Sequence, residues 1–132
     1  MRKLIAVGTI VLTIAVVVFM LSRLPPPYDT DLAKVGVGQV AAVVVHDHNT
    51  VDSIVLMDDL NVIRGDWEPA LALLLANFHH PDGRAFADRH DLPRASLSIF
   101  DGRGELIATY ARHRDRDALV SFLEQHARPL MY

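Results

Sequence analysis

The chain of 132 residues sets 13 basic residues against 16 acidic ones, is 51% hydrophobic, and carries seven histidines and no cysteine. The missing cysteine excludes disulfide staples, thiol nucleophiles, thiolate metal ligation and the lipid attachment of a lipoprotein. Arg2, Lys3 and Arg23 stand at the front, so from Pro25 onward ten basic residues face sixteen acidic ones, a net charge near −6. That balance disfavours nucleic acid or an anionic lipid surface as a partner.

Residues 4–21 form an uncharged apolar run broken only by Gly8, Thr9 and Thr13. As a helix it would be roughly 27 Å long, close to the ~30 Å hydrocarbon thickness of a bilayer. A cleaved secretory signal has a shorter apolar core and a small-x-small cleavage site, and the stretch from Phe19 to Leu24 offers none, so the run is expected to remain as a signal-anchor. Arg2 and Lys3 precede it, while Asp29 and Asp31 follow the lone Arg23. The positive-inside bias therefore places the N-terminus in the cytoplasm and the rest in the periplasm of a bacterial cell, anchored to its inner membrane. The organisation expected is a transmembrane signal-anchor over 1–24, a proline-rich linker over 25–38 and one soluble domain over 39–132, a length that buries a single core. Pro25-Pro26-Pro27 favours extended polyproline geometry and reads as a stiff spacer of about 9 Å.

Residues 39–45, with Val40, Val43, Val44 and Val45, read as a strand buried on both faces, ended by His46-Asp47-His48-Asn49. Asn49 or Thr50 caps a helix whose inward side is expected to carry Val51, Ile54, Val55, Leu60 and Ile63, closed at Gly65. Residues 70–78 suit a helix by propensity, but bounded by Pro69 and Pro81 they have strand-like length and are assigned to a second buried strand. A short helix with Phe86 inward follows from Pro81 to about Arg89. Residues 96–100 and 105–111 are two strands joined by Asp101-Gly102-Arg103-Gly104, an antiparallel hairpin. Asp115 caps a last helix burying Leu119, Val120, Phe122 and Leu123. Trp67 and the apolar end from Pro129 to Tyr132 either pack back on the domain or anchor a partner.

The resulting order, βαβαββα, resembles the thioredoxin fold, and the pieces from Phe86 to Pro93 and from Ile99 to Glu105 resemble thioredoxin-like domains locally. The resemblance implies an α/β domain with a mixed four-stranded sheet. It also exposes departures. The family's Cys-x-x-Cys would fall within Asn49-Thr50-Val51-Asp52-Ser53, so disulfide exchange is impossible. The family's buried proton-relaying carboxylate has no counterpart in Val43-Val44-Val45. Its cis-proline would fall near Ala95 or Ser96, and Pro93 stands two or three residues early, so that loop is expected to be trans and differently shaped unless Pro93 itself is cis. The chain reads as a degenerate member lacking both motifs.

In such a sheet the first two strands are parallel, so His46 and His48 after one and His79 and His80 after the other emerge at one edge, with His90 in a loop facing it. Two imidazoles on alternate positions plus one or two from a neighbouring loop suit zinc or copper, with Asp47 or Asp82 as an oxygen ligand or support. Against this, loop-end histidines are commonly solvated or cap helices, and the spacing matches no strict metal motif. Clustered imidazoles also suit pH sensing. A hydrolytic set from Ser53, His48 and Asp47 is set aside, because sequence neighbours at a strand end point apart and no nucleophile elbow is present. The expectation is therefore a non-enzymatic, membrane-anchored thioredoxin-like domain, with no catalytic residues and no cofactor, serving as an accessory or assembly subunit of an inner-membrane complex and contacting other protein subunits. The alternative is a periplasmic metal-binding or metal-delivery domain using His46, His48, His79 and His80.

Overall fold

A computed structural model describes residues 1–23 and 27–131. Of the predicted proline spacer, only Pro27 lies among them, and Tyr132 also lies outside. Helix α1, Arg2–Ser22, has 21 residues, none buried, and holds an 18-residue stretch of mean hydropathy 2.9, so it is long and apolar enough to cross a membrane. Its hydroxyls donate within the helix: Thr9 Oγ1 to the Ile5 carbonyl (2.9 Å), Thr13 Oγ1 to that of Thr9 (2.8 Å) and Ser22 Oγ to that of Phe19 (2.7 Å). Each hydroxyl proton is thus used inside the helix, which suits a hydrocarbon environment.

The domain follows as β1 (Ala41–His46), α2 (Val51–Ile63), β2 (Ala72–Asn77), α3 (Pro81–Arg89), β3 (Ser96–Phe100), β4 (Leu106–Tyr110) and α4 (Arg116–His126). The sheet order is β2-β1-β3-β4, with β1 and β2 parallel and β3 antiparallel to both β1 and β4. This is the mixed four-stranded sheet expected from the sequence, and residues 72–77 take the strand conformation assigned to them. The valines explain why β1 is central: Ala41 to Val45 are all buried, with alternate residues feeding the two faces of the sheet. Val40, Ala42 and Val44 join Leu56, Leu60 and Ile63 of α2 and Leu119 and Leu123 of α4. Ala41, Val43 and Val45 join Phe86 of α3 and Phe100 of β3 on the other side. Full burial of each such leucine, isoleucine or phenylalanine contributes about 1.5–3 kcal/mol. Asp115 caps α4 as expected, its carboxylate accepting from the Ala118 amide at 2.7 Å.

Three local expectations are corrected, and for Trp67 one of the two alternatives left open is found. The inward residues of α2 are Ser53, Leu56, Leu60 and Ile63, whereas Val51, Ile54 and Val55 face outward. Helix α2 ends at Ile63, ahead of Gly65, and passes into a 3-10 turn over Arg64–Asp66. Trp67 is buried beneath the Arg128 guanidinium, 4.4 Å from its ring centroid, and Met131 packs against the same core, so this end of the chain folds back. Residues 28–38, read as linker, instead strap the domain. Asp29 bridges to Leu74 at the edge of β2, its carbonyl accepting from Leu75 at 2.8 Å, and Asp29 pairs with Lys34, the last residue of a 3-10 turn at Leu32–Lys34. Leu32 and Val35 pack on the Phe86 and Phe100 side of the core. Tyr28 Oη donates to Asn61 Oδ1 (2.6 Å) under the Arg64 guanidinium, 3.9 Å from the ring.

Candidate functional site

The parallel pairing of β1 with β2 brings their C-terminal ends to one edge, where His46 pairs with Asn77. The loop after β1 opens α2 there, the turn after β2 opens α3, and the 93–95 loop reaches the same edge, where the Ala95 amide donates to the Val45 carbonyl at 2.9 Å. Asp47 is the centre of this edge. It is 1% exposed. Its Oδ1 accepts from His79 Nε2 at 2.7 Å and from the Asn49 amide at 3.0 Å, and its Oδ2 accepts from the Arg94 guanidinium at 3.2 Å. Two of those donors come from residues distant in sequence, so one carboxylate ties the β2–α3 turn and the 93–95 loop to the start of α2. The hydrogen bond from His79, then that from the Asn49 amide, holds the Asp47 carboxyl below the usual carboxylate range, against the opposing effect of burial.

Ser53 completes the local wiring. Its Oγ accepts from the Asp47 amide at 2.9 Å, which leaves its own proton for His46 Nδ1 at 2.7 Å. Neutral His46 then carries its proton on Nε2. Burial, followed by repulsion from His48 and His79, lowers the His46 pKa, with Asp47 opposing. His48 stacks on His79 with ring centroids 4.3 Å apart. Beside them Phe78 lies between two guanidinium groups, Arg94 at 4.0 Å and Arg84 at 5.1 Å from its centroid.

Of the histidines singled out from sequence, His46, His48 and His79 meet at this edge, while His80 occupies the N-cap position of α3 with no capping bond from its side chain. His90 does not join them. It stacks on Phe86 and Phe100 (4.6 and 5.0 Å), and Phe100 pairs with Ala41 at the opposite end of β1. Among the described residues, no group of three or more histidine or acidic side chains is gathered in a geometry that could hold a metal ion. Pro93, whose isomer the sequence left open, follows a trans bond; the cis bond among the described residues is Glu68–Pro69. A second polar cluster was not foreseen. His113 bonds Asp59 Oδ2 through Nε2 (2.6 Å) and the Tyr110 hydroxyl through Nδ1 (2.8 Å), tying the loop after β4 to α2. The mixed-charge stretch from Arg112 to Asp117, read as a solvated loop, hid this buried imidazole.

The site therefore holds a satisfied ionic knot flanked by bare apolar surface. Val51, Ile54 and Val55, on the first two turns of α2, are 74%, 45% and 43% exposed, and Val62 continues the exposed side of the helix. No thiol is present, and Ser53 is wholly buried, so neither thiol exchange nor attack by the Ser53 hydroxyl is open to this arrangement.

Comparison with solved structures identifies the architecture. The chain superposes on a thioredoxin from Thermus thermophilus with TM-score 0.61 at 13% identity, covering 77% of this chain and 87% of that one. A mutant thioredoxin from Halobacterium salinarum gives 0.60 at 15% identity, covering 76% and 89%. Oxidized thioredoxin O2 from Arabidopsis thaliana gives 0.56 at 12% identity, covering 67% and 75%. At these identities the likeness is one of fold. No family model matches the sequence, and no curated protein matches it. The chain thus has the thioredoxin fold without a cysteine, preceded by an apolar helix able to cross a membrane.

The ionisations make stability fall on acidification. A group whose folded pKa lies below its unfolded value binds more protons when unfolded, so stability rises with pH across that interval. For His46, and for His90, whose pKa is lowered by burial and then by Arg89, the loss begins as pH falls below about 6.5, the unfolded histidine value. For Asp47 it begins below about 3.9, the unfolded aspartate value, and continues through its depressed folded pKa. Thermal melts from pH 8 to pH 3 should show two successive declines. The lower one should shrink in Asp47→Asn; an unchanged profile in that variant would remove Asp47 from the account.

Proposed function

We propose that the protein is a non-catalytic, membrane-anchored thioredoxin-like domain that works as an accessory or assembly subunit of an inner-membrane protein complex. It meets its partner through the edge where thioredoxin-like proteins keep their chemistry. The observation that carries this reading is the pairing, at one edge, of a polar network already satisfied by its own residues with an exposed apolar face on α2. Among the described residues the Asp47 carboxylate already has its donors, and Val51, Ile54 and Val55 stay exposed. An interface core of aliphatic side chains rimmed by histidine and arginine suits protein recognition. The anchor fixes the domain at one bilayer face, with the soluble part in the periplasm, so that the partner is met by position as well as by affinity.

The test is purification of the full chain from gently solubilised membranes. Stoichiometric recovery with a partner subunit is expected, and recovery of the intact chain alone contradicts the reading. The metal-delivery alternative draws on the close approach of His48 and His79. Titrating zinc or copper into the protein while following Tm separates the two, because a ligand that binds only the native state raises Tm with its concentration. No rise is expected. A rise that disappears in His48→Ala and His79→Ala would transfer the proposal to metal binding.

A further inference from the structure

Resting on that reading and on the span of α1, we infer that the domain stands on the bilayer by the starts of its strands, with the histidine edge turned away from the membrane, so that the partner is met through an extramembrane surface and not through transmembrane segments. The chain joins the domain beside the starts of β1 and β2. Pro27 lines a cleft of about 340 Å³ together with Gln39, Pro69 and Leu71, the residues that lead into β1 and β2. From there Asp29 runs parallel to β2 and bridges to Leu74. Tyr28 bonds Asn61 on the last turn of α2, which descends from the histidine edge to the same end. The chain coming from the anchor is therefore gripped at the end of the sheet opposite the site.

That grip leaves little slack. Arg23 to Pro27 is five residues, which fully extended span at most about 17 Å. Beyond Pro27 the strap is held by the Leu74 bridge, the Asp29 pair with Lys34, and the stacking of Arg64 on Tyr28. The same end of the domain carries the 101–104 turn, which is tied to the strap where the Gly38 amide donates to the Gly102 carbonyl at 2.9 Å. It also carries the Arg128–Leu130 turn that closes over Trp67. The histidine edge lies the length of β1 farther out, six residues or about 20 Å at 3.3 Å per residue. A surface on α2 at that height is out of reach of helices confined to the hydrocarbon core. It fits a periplasmic portion of a neighbouring subunit that rises at least as far and offers apolar side chains to Val51, Ile54 and Val55.

The absence of cysteine makes the test direct, since any introduced thiol is unique. Full chain carrying Arg103→Cys, in the turn at the strand-start end, or Asp52→Cys, on the first turn of α2, is labelled with one fluorophore and reconstituted into phosphatidylcholine vesicles doped with a headgroup-nitroxide lipid. Several-fold stronger quenching at position 103 than at position 52 is expected. Equal quenching, or stronger quenching at 52, overturns the orientation while leaving the partner reading standing. Failure of the labelled chain to float with the vesicles overturns it as well, by removing the anchor. Loss of partner recovery with the quenching pattern intact would instead strike the subunit reading alone.

Discussion

Gly83→Ala is expected to destabilise the domain by on the order of 3 kcal/mol, the upper part of the range for overpacking a close contact. A Cβ at this position would lie 2.6 Å from the Asn77 amide nitrogen and closer still to its carbonyl oxygen. These are backbone atoms of β2, so no rotamer change relieves the clash. Helix α3 must move away from the strand or the strand end must bend. The better helix propensity of alanine recovers only about 0.5–1 kcal/mol. For a domain of this size each kcal/mol corresponds to roughly 4–8 °C, so Tm should fall by about 10 °C or more. The effect reaches the site, because the Asn77 side chain accepts from the His79 amide and His79 in turn holds Asp47. A melting temperature within a degree or two of the parent would mean that α3 does not pack on β2 as described.

The second large effect concerns binding. Ile54→Asp and Val55→Asp place a charge on exposed positions of α2, where substitutions ordinarily change stability by about 0.5 kcal/mol or less. Tm should therefore hold. If these side chains form the buried core of the partner interface, each substitution should cost about 2 kcal/mol or more in binding, a thirtyfold loss of affinity or greater. Asp88→Asn, at an exposed position of α3, should leave partner recovery as it was. Partner recovery unaffected by a charge at Ile54 and Val55, measured on protein of unchanged Tm, would move the interface elsewhere.

Much of the fold was legible because its elements are bounded by unambiguous signals. The valine run of β1, the glycine-bearing turn between β3 and β4, and the Asp115 cap are such signals, the Pro69 and Pro81 brackets decide for strand over helix at β2, and the structure has these elements in the order expected. The orientation of α2 was not legible. Its apolar residues surround the helix: Val51, Ile54 and Val55 satisfy helical spacing as well as Leu56, Leu60 and Ile63 do. The deciding residue is Ser53, whose polarity argues for solvent and whose hydrogen bonds to Asp47 and His46 place it inside. Such a bond depends on the tertiary approach of the β1 end and has no sequence period.

The site was legible in part. Parallel strands must end at one edge, so the meeting of His46, His48 and His79 followed from topology. The central role of Asp47 did not, because the sequence places it between two histidines and names neither His79 nor Arg94 as its partner. The strap was missed for a similar reason. Asp29 and Lys34 look like solvated charges in a linker until the free edge of β2 is seen to need cover. His90 was misplaced because the loop that returns to the histidine edge begins at the far end of the sheet, where its ring fills space between Phe86 and Phe100.

A photo-reactive residue at Ile54, activated in intact membranes, probes most directly whether this fold works as a recognition surface. The account predicts a single adduct of defined mass from position 54 and none from position 88, which lies exposed on α3. No adduct from position 54, or adducts of equal yield from both positions, would contradict it.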